Sequence, residues 1–379
     1  MEKLTVDVAI IGGGIVGSAT ALALRKSGMS VVLLDKGMCG AQASGVNAGG
    51  VRQQARDESE LPMTRRAAKI WPRLHEVLGE DIEFRQVGHL RLARSEQDVQ
   101  MLEDYARMAH DYGLYLQLNS GKITQEMFPW VSRKIAGSSL AVEDGHANPR
   151  LVTPAYSRAA RAHGVDIREF TRVEHSAWTG SHFETSAPEL MVKSKYLVNA
   201  AGAWAGKFIE LFNESAPLTL RTPNLFVTEP VSYFMTKSIA VCGGAVYFRQ
   251  VERGNVVLGG GPGWGDLSIE RARNRADTTL GQFQRAIELV PELSGLQIIR
   301  SWSGLEGDLP DKLPIIGPSQ TTPNLIHAFG LCGHGFQLGP AIGEILCEVI
   351  RDGRSETPID AFCISRFDKV EEKKLANAR

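Results

Sequence analysis

Residues 6–35 read VDVAIIGGGIVGSATALALRKSGMSVVLLD, and this stretch decides the fold of the first part of the chain. An apolar run enters Gly12-x-Gly14-x-x-Gly17, an amphipathic stretch follows, and a second apolar run ends at Asp35. Glycines at this spacing permit a tight turn, a close approach of the backbone to a pyrophosphate, and close packing of the helix on the strand. The segment therefore predicts a strand–helix–strand unit that binds a dinucleotide. Asp35 is placed to accept hydrogen bonds from the adenosine ribose, which argues against a 2′-phosphate there.

The composition narrows the class of protein. The chain has 379 residues, is 43% hydrophobic and carries a formal net charge of −1, which gives no electrostatic basis for binding nucleic acid or an anionic membrane. No stretch predicts a transmembrane helix. The five cysteines are scattered, and none stands in a C-x-x-C pair. They predict reduced thiols in a cytoplasmic protein, without a metal site or an iron–sulfur cluster.

Pieces typical of a nucleotide-binding fold recur at the start, middle and end of the chain. These pieces are residues 6–35, 196–205 and 325–335. Residues 224–301 alternate instead like antiparallel strands, most clearly at 246–249 and 255–261. The order predicts an α/β fold of the two-domain α+β kind, in which a Rossmann-like nucleotide domain is interleaved with an antiparallel-sheet substrate domain.

The predicted domain boundaries follow from that order. The nucleotide domain comprises residues 1–80, 141–220 and 302–379, and the substrate domain comprises 81–140 and 221–301. Two predicted helices matter for the site: one opens at Thr153-Pro154 and closes at Gly164, and the other runs over residues 339–351. The charged tail, 368–379, predicts a solvated helix or a frayed end.

Three motifs, in this order along nearly the whole chain, resemble one protein family. They are the glycine fingerprint at 12–17, VNAAGAW at 198–204 and GHGF at 333–336. The chain is similar to the FAD-dependent amine oxidoreductases of the D-amino acid oxidase, glycine oxidase and sarcosine oxidase group (the DAO family). The resemblance implies that the dinucleotide is FAD and that the nucleotide domain is an FAD-binding domain.

A narrower likeness rests on GGVRQQ at 49–54, LPDKLPIIG at 309–317 and GHGFQLGPAIGE at 333–344. These segments resemble the catalytic β subunits of multi-subunit dehydrogenases, among them dye-linked proline and D-hydroxyproline dehydrogenases, hydrogen cyanide synthase and heterotetrameric sarcosine oxidase. The resemblance implies partner subunits that carry electrons through iron–sulfur clusters or through a second flavin (FMN) at a subunit interface. It also implies that partners can hold the chain peripherally at the inner face of a membrane.

The reaction implied by the resemblance is the oxidation of a small amino or imino acid, of the proline or hydroxyproline type. Hydride transfer to flavin N5 yields the imine, and the electrons pass to partner subunits or another acceptor. In such enzymes the cofactor carries the chemistry, while the protein supplies orientation and electrostatics. Two alternatives stay open: a free-standing glycine, sarcosine or D-amino acid oxidase that uses O2, and a non-catalytic subunit that holds FAD as an electron relay.

Departures from the family pattern shape the predicted site. The family's substrate-clamping arginine in a Gly-Leu-Arg-Pro segment is missing, since the chain reads GLEG at 304–307. No cysteine occurs between 301 and 317 to hold the flavin covalently, and Gln337 stands where monomeric sarcosine oxidases have a lysine. The resemblance therefore implies non-covalent FAD and a carboxylate clamp made elsewhere.

The residues expected to bind FAD come from the fingerprint, the Gly- and Ser-rich loop after Asp35, and the later motifs. Backbone N–H groups at 333–338 are expected near the flavin ring, where a helix N-terminus stabilises negative charge. The expected cofactor-binding residues are Gly12, Gly14, Ile15, Val16, Gly17, Asp35, Lys36, Ser44, Asn47, Ala48, Gly49, Gly50, Val173, Ala201, Gly202, Trp204, Gly304, Gly333, His334, Gly335, Phe336 and Gln337.

Four residues are expected to act on the substrate. Arg52 is the first candidate for the carboxylate clamp, because a guanidinium binds a carboxylate bidentately; the alternative is a surface or phosphate-binding arginine. Arg249 is the second candidate, with a solvent-facing strand arginine as its alternative. Tyr247 is expected to close the pocket or to pack in the sheet, and His334 is expected to contact the flavin or to act as a spacer.

Three further side chains are weaker candidates. Glu306 and Asp308 are candidates for binding the substrate amine, although acids in exposed loops are common. His146 lies where sarcosine oxidase β subunits have histidines near a second flavin, and its alternative is an ordinary loop residue.

Overall fold

The structure, a computed structural model, describes residues 1–244 and 246–367 and has a mixed α/β fold with two large sheets. The helices are α1 (Ile15–Lys26), α2 (Ala43–Val46), α3 (Leu61–Ile70), α4 (Leu74–Leu78), α5 (Glu96–His110), α6 (Gly121–Met127), α7 (Pro149–Ala162), α8 (Ala205–Ile209), α9 (Ala276–Leu289) and α10 (Gly335–Asp352). The predicted solvated or frayed tail at 368–379 lies outside the described residues.

The strands follow the chain from end to end. They are β1 (Glu2–Ile11), β2 (Val31–Leu34), β3 (Gly50–Val51), β4 (His89–Ala93), β5 (Gln117–Ser120), β6 (Gly137–Ala141), β7 (Gly145–His146), β8 (Asp166–Arg168), β9 (His175–Trp178), β10 (Phe183–Ala187), β11 (Leu190–Asn199), β12 (Thr219–Arg221), β13 (Pro223–Pro230), β14 (Ser238–Val241), β15 (Tyr247–Gln250), β16 (Asn255–Pro262), β17 (Trp264–Asp266), β18 (Arg271–Arg273), β19 (Ile298–Ser303), β20 (Glu306–Asp308), β21 (Ile315–Pro318) and β22 (Leu325–Phe329). Short 3₁₀ turns span Glu58–Glu60, Trp71–Arg73, Gly202–Trp204, Glu210–Phe212, Pro291–Gly295, Asp360–Phe362 and Ile364–Phe367.

The first sheet contains the predicted strand–helix–strand unit. Its main strand order is β21-β22-β11-β1-β2-β8. β1 is parallel to β2 and to β11, and Ile11 pairs with Leu34 at the carboxyl ends of their strands. The pairing of β1 with β2 through α1 confirms the prediction made from residues 6–35, and the parallel order confirms the Rossmann-like part of the fold.

The second sheet has the strand order β19-β13-β16-β15-β14-β4-β6-β5, and most of its neighbouring strands are antiparallel. Side chains alternate between its faces. Leu90, Phe248 and Leu258 lie on one face and pack in a buried apolar cluster with residues of α9. His89, Arg91, Tyr247 and Arg249 lie on the opposite face, which is turned toward a cavity. The predicted antiparallel pair at 246–249 and 255–261 is β15 and β16, with Tyr247 opposite Gly259.

The chain crosses between the two sheets more than once, as the interleaved order predicts. Strands of the second sheet lie within residues 89–141 and 223–303, and strands of the first sheet lie before, between and after them. The domain boundaries given above stay a prediction. At the first sheet α10 packs directly on α1, where a Cβ at Gly343 would lie 2.7 Å from the Cβ of Ala19. The first and last large helices of the described chain are therefore in contact.

Both helices singled out from the sequence begin earlier than predicted. α7 begins at Pro149, because the side chain of Asn148 accepts a hydrogen bond from the Arg150 N–H and caps the helix; Pro154 then lies inside it. α10 begins at Gly335 and ends before Gly353, which has a φ of 75°. The glycine turn before α10 therefore leads straight into the helix N-terminus. No helix in the described chain is long and apolar enough to cross a membrane.

Candidate active site

A cavity of about 400 Å³ opens at the carboxyl ends of β1 and β2, the edge where open parallel sheets bind their ligands. Segments from the start, middle and end of the chain meet around it. The predicted cofactor residues that line this first cavity are Gly12, Gly14, Ile15, Val16, Asp35, Lys36, Ser44, Asn47, Val173, Ala201, Gly202, Trp204, Gly333, Gly335 and Phe336.

Two glycines of the fingerprint are required by space and by backbone geometry. Gly12 has a φ of +107°, and a Cβ on it would lie 2.3 Å from the carbonyl oxygen of Ala200 on the neighbouring segment. A Cβ on Gly17 would lie 1.9 Å from the carbonyl oxygen of Gly12. Because no side chain fits at either position, the turn lies tightly against both the helix and the strand. The cradle for a pyrophosphate is therefore built into the backbone.

The N-terminus of α1 faces this cradle. The backbone N–H of Ile15 donates to the Ser44 hydroxyl at 2.9 Å, which joins the following loop to the helix. The first turn of α1 contains no acidic side chain. The positive end of the helix dipole is therefore available to an anion such as a pyrophosphate.

Asp35 is held at the end of β2 by backbone donors. Its Oδ2 accepts from the N–H of Gly13 at 2.6 Å, and its Oδ1 accepts from the N–H of Gly37 at 2.7 Å. Burial nevertheless raises the pKa of this carboxyl above its usual range. Each oxygen can accept one further hydrogen bond, so the predicted ribose contact is compatible with this geometry and stays a prediction.

Lys36 and Trp204 lie in contact with each other and line the first cavity. The Lys36 ammonium lies 3.2 Å from the centroid of the Trp204 ring and 2.8 Å from a carboxylate oxygen of Glu270. Burial lowers the pKa of Lys36. This cation–π pair gives Trp204 a fixed orientation, so the ring is more than general core packing.

The remaining predicted cofactor residues do not line the first cavity. Ala48, Gly50 and His334 line a second cavity instead. Gly17 lies beneath the turn, Gly49 lies against the Ala147 carbonyl and Gly304 lies against Val46. The Gln337 side chain is buried and donates to the Thr64 carbonyl at 3.2 Å. These residues shape the surrounding structure but are not among the residues that line the first cavity.

The second cavity, about 320 Å³, adjoins the first. The two share five lining residues, which are Asn47, Glu306, Cys332, Gly333 and Phe336. An elongated dinucleotide bound on the cradle would extend along the first cavity and bring its far end to this junction. The residues present therefore fit FAD, with the pyrophosphate at the fingerprint and the flavin ring beside the turn that precedes α10.

A rigid loop, residues 50–57, carries two arginines into the second cavity; we call it the arginine loop. The Gln53 N–H and side-chain amide donate to the buried carboxylate of Asp144 at 2.9 and 3.0 Å. The Gln54 side-chain amide donates to the His89 carbonyl at 2.6 Å. Because both glutamines are buried, these hydrogen bonds fix the loop to the second sheet.

The two guanidinium groups of the arginine loop differ in their partners. Arg52 Nη1 donates to the carbonyl oxygens of Gln54 and Ala55 at 2.6 and 3.1 Å. Arg56 is 4% exposed, and its Nε and Nη1 have no hydrogen-bond partner among the described residues. Burial lowers the pKa of both arginines, that of Arg52 to about 9. Both stay cationic at neutral pH and can bind a carboxylate.

Arg249 is largely engaged by the protein itself. It is 7% exposed, so the solvent-facing alternative is wrong. Its Nε donates to the Ala48 carbonyl at 2.7 Å, its Nη2 to the Ala147 carbonyl at 3.2 Å and its Nη1 to His146 Nδ1 at 3.0 Å. Arg249 lines the second cavity while tying β15 to two loops, so its geometry favours a positioning role.

His146 is the buried partner of Arg249. Because a guanidinium only donates, His146 Nδ1 must accept, which leaves the ring proton on Nε2. Burial, and then the charge of Arg249, lower the pKa of His146 to about 2. The ring is 5% exposed and belongs to neither cavity lining. The structure therefore assigns His146 no contact with a second flavin, and that flavin stays a prediction.

His334 lies in the turn before α10 and faces the second cavity. Its Nδ1 lies 2.8 Å from a carboxylate oxygen of the fully buried Glu60. Burial, followed by Arg56, lowers the pKa of His334 to about 4. Burial opposes the charge on Glu60, but His334 and the nearby arginines outweigh it and lower the pKa of Glu60. His334 is thus a neutral ring that donates from Nδ1, and its predicted contact with flavin stays a prediction.

Glu306 is the only acidic side chain among the described residues that line the second cavity. Its Oε2 is buried without a hydrogen-bond partner among the described residues, and burial raises the pKa of this carboxyl. Tyr247 also lines the cavity, and burial raises its pKa to about 12, so it is a neutral phenol. Asp308 instead pairs with Lys312 and lines neither cavity.

Sequence reasoning missed several basic residues of the second cavity. They are Arg56, His89, Arg91 and Arg221. A signal for His89 and Arg91 was available, because the strand HLRLA alternates and so turns both toward one face. Arg56 lies just beyond the GGVRQQ segment, and nothing in the local sequence indicates that it turns into the cavity rather than toward solvent.

Comparisons with known proteins agree with this geometry. A family model described as "FAD dependent oxidoreductase" (DAO) matches residues 7–349. One of the subunits of opine oxidase from Rhizobium meliloti is 26% identical over 374 residues, covering 96% of this chain and 98% of that protein. Glycine oxidase of Bacillus subtilis (strain 168) is 26% identical over 375 residues, with coverages of 96% and 98%.

Solved structures show the same fold. L-proline dehydrogenase from P. horikoshii superposes with a TM-score of 0.90 at 24% sequence identity, covering 97% of this chain and 99% of that one. Most of the chain, from the fingerprint through α10, matches one family. The protein therefore belongs to the DAO family of FAD-dependent oxidoreductases.

Proposed function

We propose that this chain is the catalytic subunit of an FAD-dependent dehydrogenase that oxidises a small amino or imino acid of the proline or hydroxyproline type to its imine. One observation carries the proposal: a second cavity lined by arginines adjoins the dinucleotide cavity at the turn before α10. An amine that carries a carboxylate fits this combination, because the carboxylate binds the arginines while the amine end reaches the junction.

The arginine loop supplies the carboxylate clamp in this proposal. Arg52 and Arg56 are held by a backbone that is itself fixed through Gln53 and Gln54. A guanidinium in a rigid loop loses little conformational freedom when it binds, so it orients the substrate well. Arg249 fixes the segment just before the loop, because its Nε donates a hydrogen bond to the Ala48 carbonyl.

Glu306 supplies the proton acceptor. An amino acid is an ammonium ion at neutral pH, and its nitrogen lone pair must be freed before a C=N bond can form. Glu306 lies at the junction of the two cavities with an unpartnered oxygen and a raised pKa. A carboxylate with a raised pKa is a better base, so Glu306 takes the N–H proton of the bound substrate.

Bound FAD supplies the acceptor for the hydride that leaves the substrate Cα as the C=N bond forms. The protein adds a favourable electrostatic environment for that transfer. α10 begins at Gly335, two residues after Gly333, which lines both cavities. The free N–H groups at this helix N-terminus stabilise negative charge at the junction.

Partner subunits receive the electrons in this proposal. The relative whose name identifies it as one subunit of an opine oxidase matches over nearly its whole length, which supports a multi-subunit enzyme. Within the described residues no group of three or more metal-ligating side chains is close enough to hold a metal ion. We propose iron–sulfur or FMN-bearing partners, a cytoplasmic location and, through those partners, peripheral association with a membrane.

An anaerobic absorbance titration tests the function. The purified FAD-loaded protein is mixed with D- and L-proline, 4-hydroxyprolines, sarcosine and glycine, and the visible band of oxidised flavin is followed. Bleaching by a proline-type compound supports the proposal and assigns catalysis to this chain. If the flavin is reduced by dithionite but by no compound in the panel, the chain is a relay subunit or needs a partner to complete its site.

The electron acceptor is tested separately. Turnover with the best substrate in air is compared with turnover with an artificial dye, and hydrogen peroxide is measured. Fast dye reduction with little peroxide is expected of a dehydrogenase subunit. A peroxide yield equal to substrate consumed would instead establish a free-standing oxidase.

A further inference from the structure

One side of the second cavity carries more guanidinium hydrogen-bond donors than a single carboxylate can fill. Arg52, Arg56 and Arg91 line it together, and we call these three residues the arginine cluster. Their charges act on one another: after burial, Arg56 and Arg91 are the next largest causes of the lowered pKa of Arg52. Guanidinium groups remain protonated at neutral pH, so three positive charges line this wall.

No acidic side chain of the described residues lies within ion-pairing distance of the cluster. Arginines elsewhere on the chain behave differently. Arg66, for example, binds Glu344 at 2.9 Å, and Arg85 binds Glu252 at 2.6 Å. Arg133, Arg150 and Arg300 also form no ion pair with a described residue, but their side chains are exposed to water, whereas Arg56 is buried. The cluster therefore differs in that water does not compensate for its missing partners.

Two buried carboxylates near the cluster are committed to other partners. Glu60 is bound to His334 at 2.8 Å, and Asp144 accepts hydrogen bonds from Gln53. They offset part of the positive charge from a distance but fill none of the cluster's hydrogen-bond donors. Arg56 in particular keeps two buried donors without a partner among the described residues, and leaving such donors unpaired is unfavourable.

We propose that the substrate is an amine with two carboxylates. The inference rests on the proposed FAD-dependent oxidation of an amino or imino acid, and it replaces the proline-type substrate with a dicarboxylic one. The carboxylate next to the reacting carbon binds Arg52, and the second carboxylate binds Arg56 and Arg91. A carboxylate matches one guanidinium bidentately, so one carboxylate would leave donors of the other two arginines unfilled. Two carboxylates satisfy all three arginines and leave the amine for Glu306.

Arg91 is the residue that best separates this inference from the proposed function. It lies on β4, two strands from Tyr247 in the same row of the sheet, and its guanidinium group makes no hydrogen bond or ion pair with a described residue. Replacing it should therefore leave the fold intact. Arg94, just after the same strand, faces the Cys242 carbonyl outside the cavity and serves as the matched control.

Binding of compounds that cannot be oxidised tests the second carboxylate site without turnover. Diglycolate is compared with methoxyacetate, and succinate with butyrate, by calorimetry on the FAD-loaded protein. The wild type is expected to bind at least one dicarboxylate about tenfold or more tightly than its one-carboxylate partner, as for one charge-assisted interaction. Arg91→Met should bring that ratio near one, Arg91→Lys should restore part of it, and Arg94→Met should keep it.

Which pair shows the preference identifies the substrate geometry. A preference for diglycolate indicates carboxylates on both sides of the nitrogen, as in iminodiacetate, and one for succinate indicates both on one side, as in aspartate. Equal affinities within both pairs in the wild type, or ratios unchanged by Arg91→Met, would overturn the inference.

Measurements of flavin reduction distinguish the proposed oxidation of an amino or imino acid from the proposed two-carboxylate substrate. Reduction by proline or sarcosine without any dicarboxylate preference would uphold the proposed function and reject the inference. A dicarboxylate preference in binding, with no reduction by iminodiacetate, aspartate, glutamate or any one-carboxylate amine, would uphold the binding site and reject the catalytic role.

Discussion

At the scale of single residues, a substitution of Glu306 is the most direct test of the chemistry of this site. We expect Glu306→Gln to slow flavin reduction by about 10²–10⁴-fold, the usual contribution of a general base. Burial raises the pKa of Glu306, and only its deprotonated form accepts a proton. The wild-type rate of flavin reduction should therefore rise as the pH passes through that raised pKa. The rate of the variant should not show this rise. Anaerobic stopped-flow reduction over a range of pH measures both effects.

Asp308→Asn is the matched control for Glu306→Gln. Asp308 lies two residues further along β20, pairs with Lys312 and lines neither cavity. The control should keep the wild-type rate at high pH and the rise of the rate with pH. That rise should move to lower pH, because the charge of Asp308 contributes to the raised pKa of Glu306. If the rise of the rate with pH were lost in Asp308→Asn, or kept in Glu306→Gln, a group other than Glu306 would accept the substrate proton.

His146 gives a pH-dependent contribution to stability. Its pKa is lowered from 6.5 to about 2 in the folded protein, so between these values the unfolded chain binds more protons at this residue. Its stabilising contribution is therefore complete above pH 6.5 and is lost as the pH falls below it. We expect His146→Gln, which keeps an acceptor for Arg249, to reduce the slope of unfolding free energy against pH by about 1.4 kcal/mol per unit below pH 6.5.

Urea unfolding at fixed FAD concentration measures this slope. The comparison is made between wild type and variant at several pH values from neutral downward. Parallel slopes for the two proteins would mean that His146 is protonated in the folded state and that its burial does not control its charge.

Residue roles divided into those that local sequence can predict and those that depend on tertiary contacts. The fingerprint and its acid were predictable because each residue has a local mechanical reason, and they line or support the first cavity. Arg52 was predicted on its chemistry and does line the second cavity. The engagement of Arg249 by Ala48, Ala147 and His146 was not predictable, because those partners lie about 100 or 200 positions away.

At the scale of elements, the contact of α1 with the turn before it limits what can replace Gly17. A Cβ there would lie 1.9 Å from the Gly12 carbonyl oxygen, so Gly17→Ala must displace either the helix or the turn. We expect it to destabilise the protein by about 3 kcal/mol or more, as overpacking does, and to weaken FAD binding. Thermal unfolding and flavin retention on a desalting column measure the two effects.

Gly281→Ala is the control for that substitution. Gly281 lies inside α9, and a Cβ there meets no atom within 4 Å. The same chemical change should stabilise the protein by roughly 0.5–1 kcal/mol, because alanine favours helix over glycine. If both substitutions had the same effect, the close packing at Gly17 would not be what the fingerprint requires.

Helix positions were predictable to within a few residues, and the errors have physical causes. The start of α7 was placed at Thr153-Pro154, because proline favours a first turn, but Pro149 offers the same signal and Asn148 caps it. The start of α10 was placed at residue 339, although the helix begins at Gly335. Glycines in the turn concealed that start, since they are as typical of a loop as of a helix N-terminus facing a ligand.

At the scale of the whole molecule, the joined cavities predict how the flavin is held. Cys332 is the cysteine that lines both cavities, yet burial raises its pKa to about 12, so its sulfur stays protonated and a poor nucleophile at neutral pH. We expect acid precipitation to leave all the flavin in the supernatant. Yellow colour in the washed pellet would contradict this, and its loss in Cys332→Ser would identify the attachment point.

The fold class and the order of motifs were predictable for the whole chain, because each motif is short and local. The joining of the cavities was not predictable, since it depends on how the two sheets face one another. Asn47, Glu306 and Gly333 meet at one junction from three distant parts of the chain. Only the folded arrangement brings an acid, a basic wall and a helix N-terminus to the same place.

The contact between α1 and α10 has a consequence for how a cell makes this enzyme. The ribosome produces the fingerprint long before α10, yet Ala19 on α1 is covered by Gly343, and the cradle is completed only by residues 328–336. Until α10 has been synthesised, the emerging polypeptide therefore carries an α1 face that α10 does not yet cover and an unfinished nucleotide site. We expect FAD to bind only after residues 328–336 have been synthesised. A product that terminates before them would expose apolar surface to chaperones and proteases and would have no partial activity.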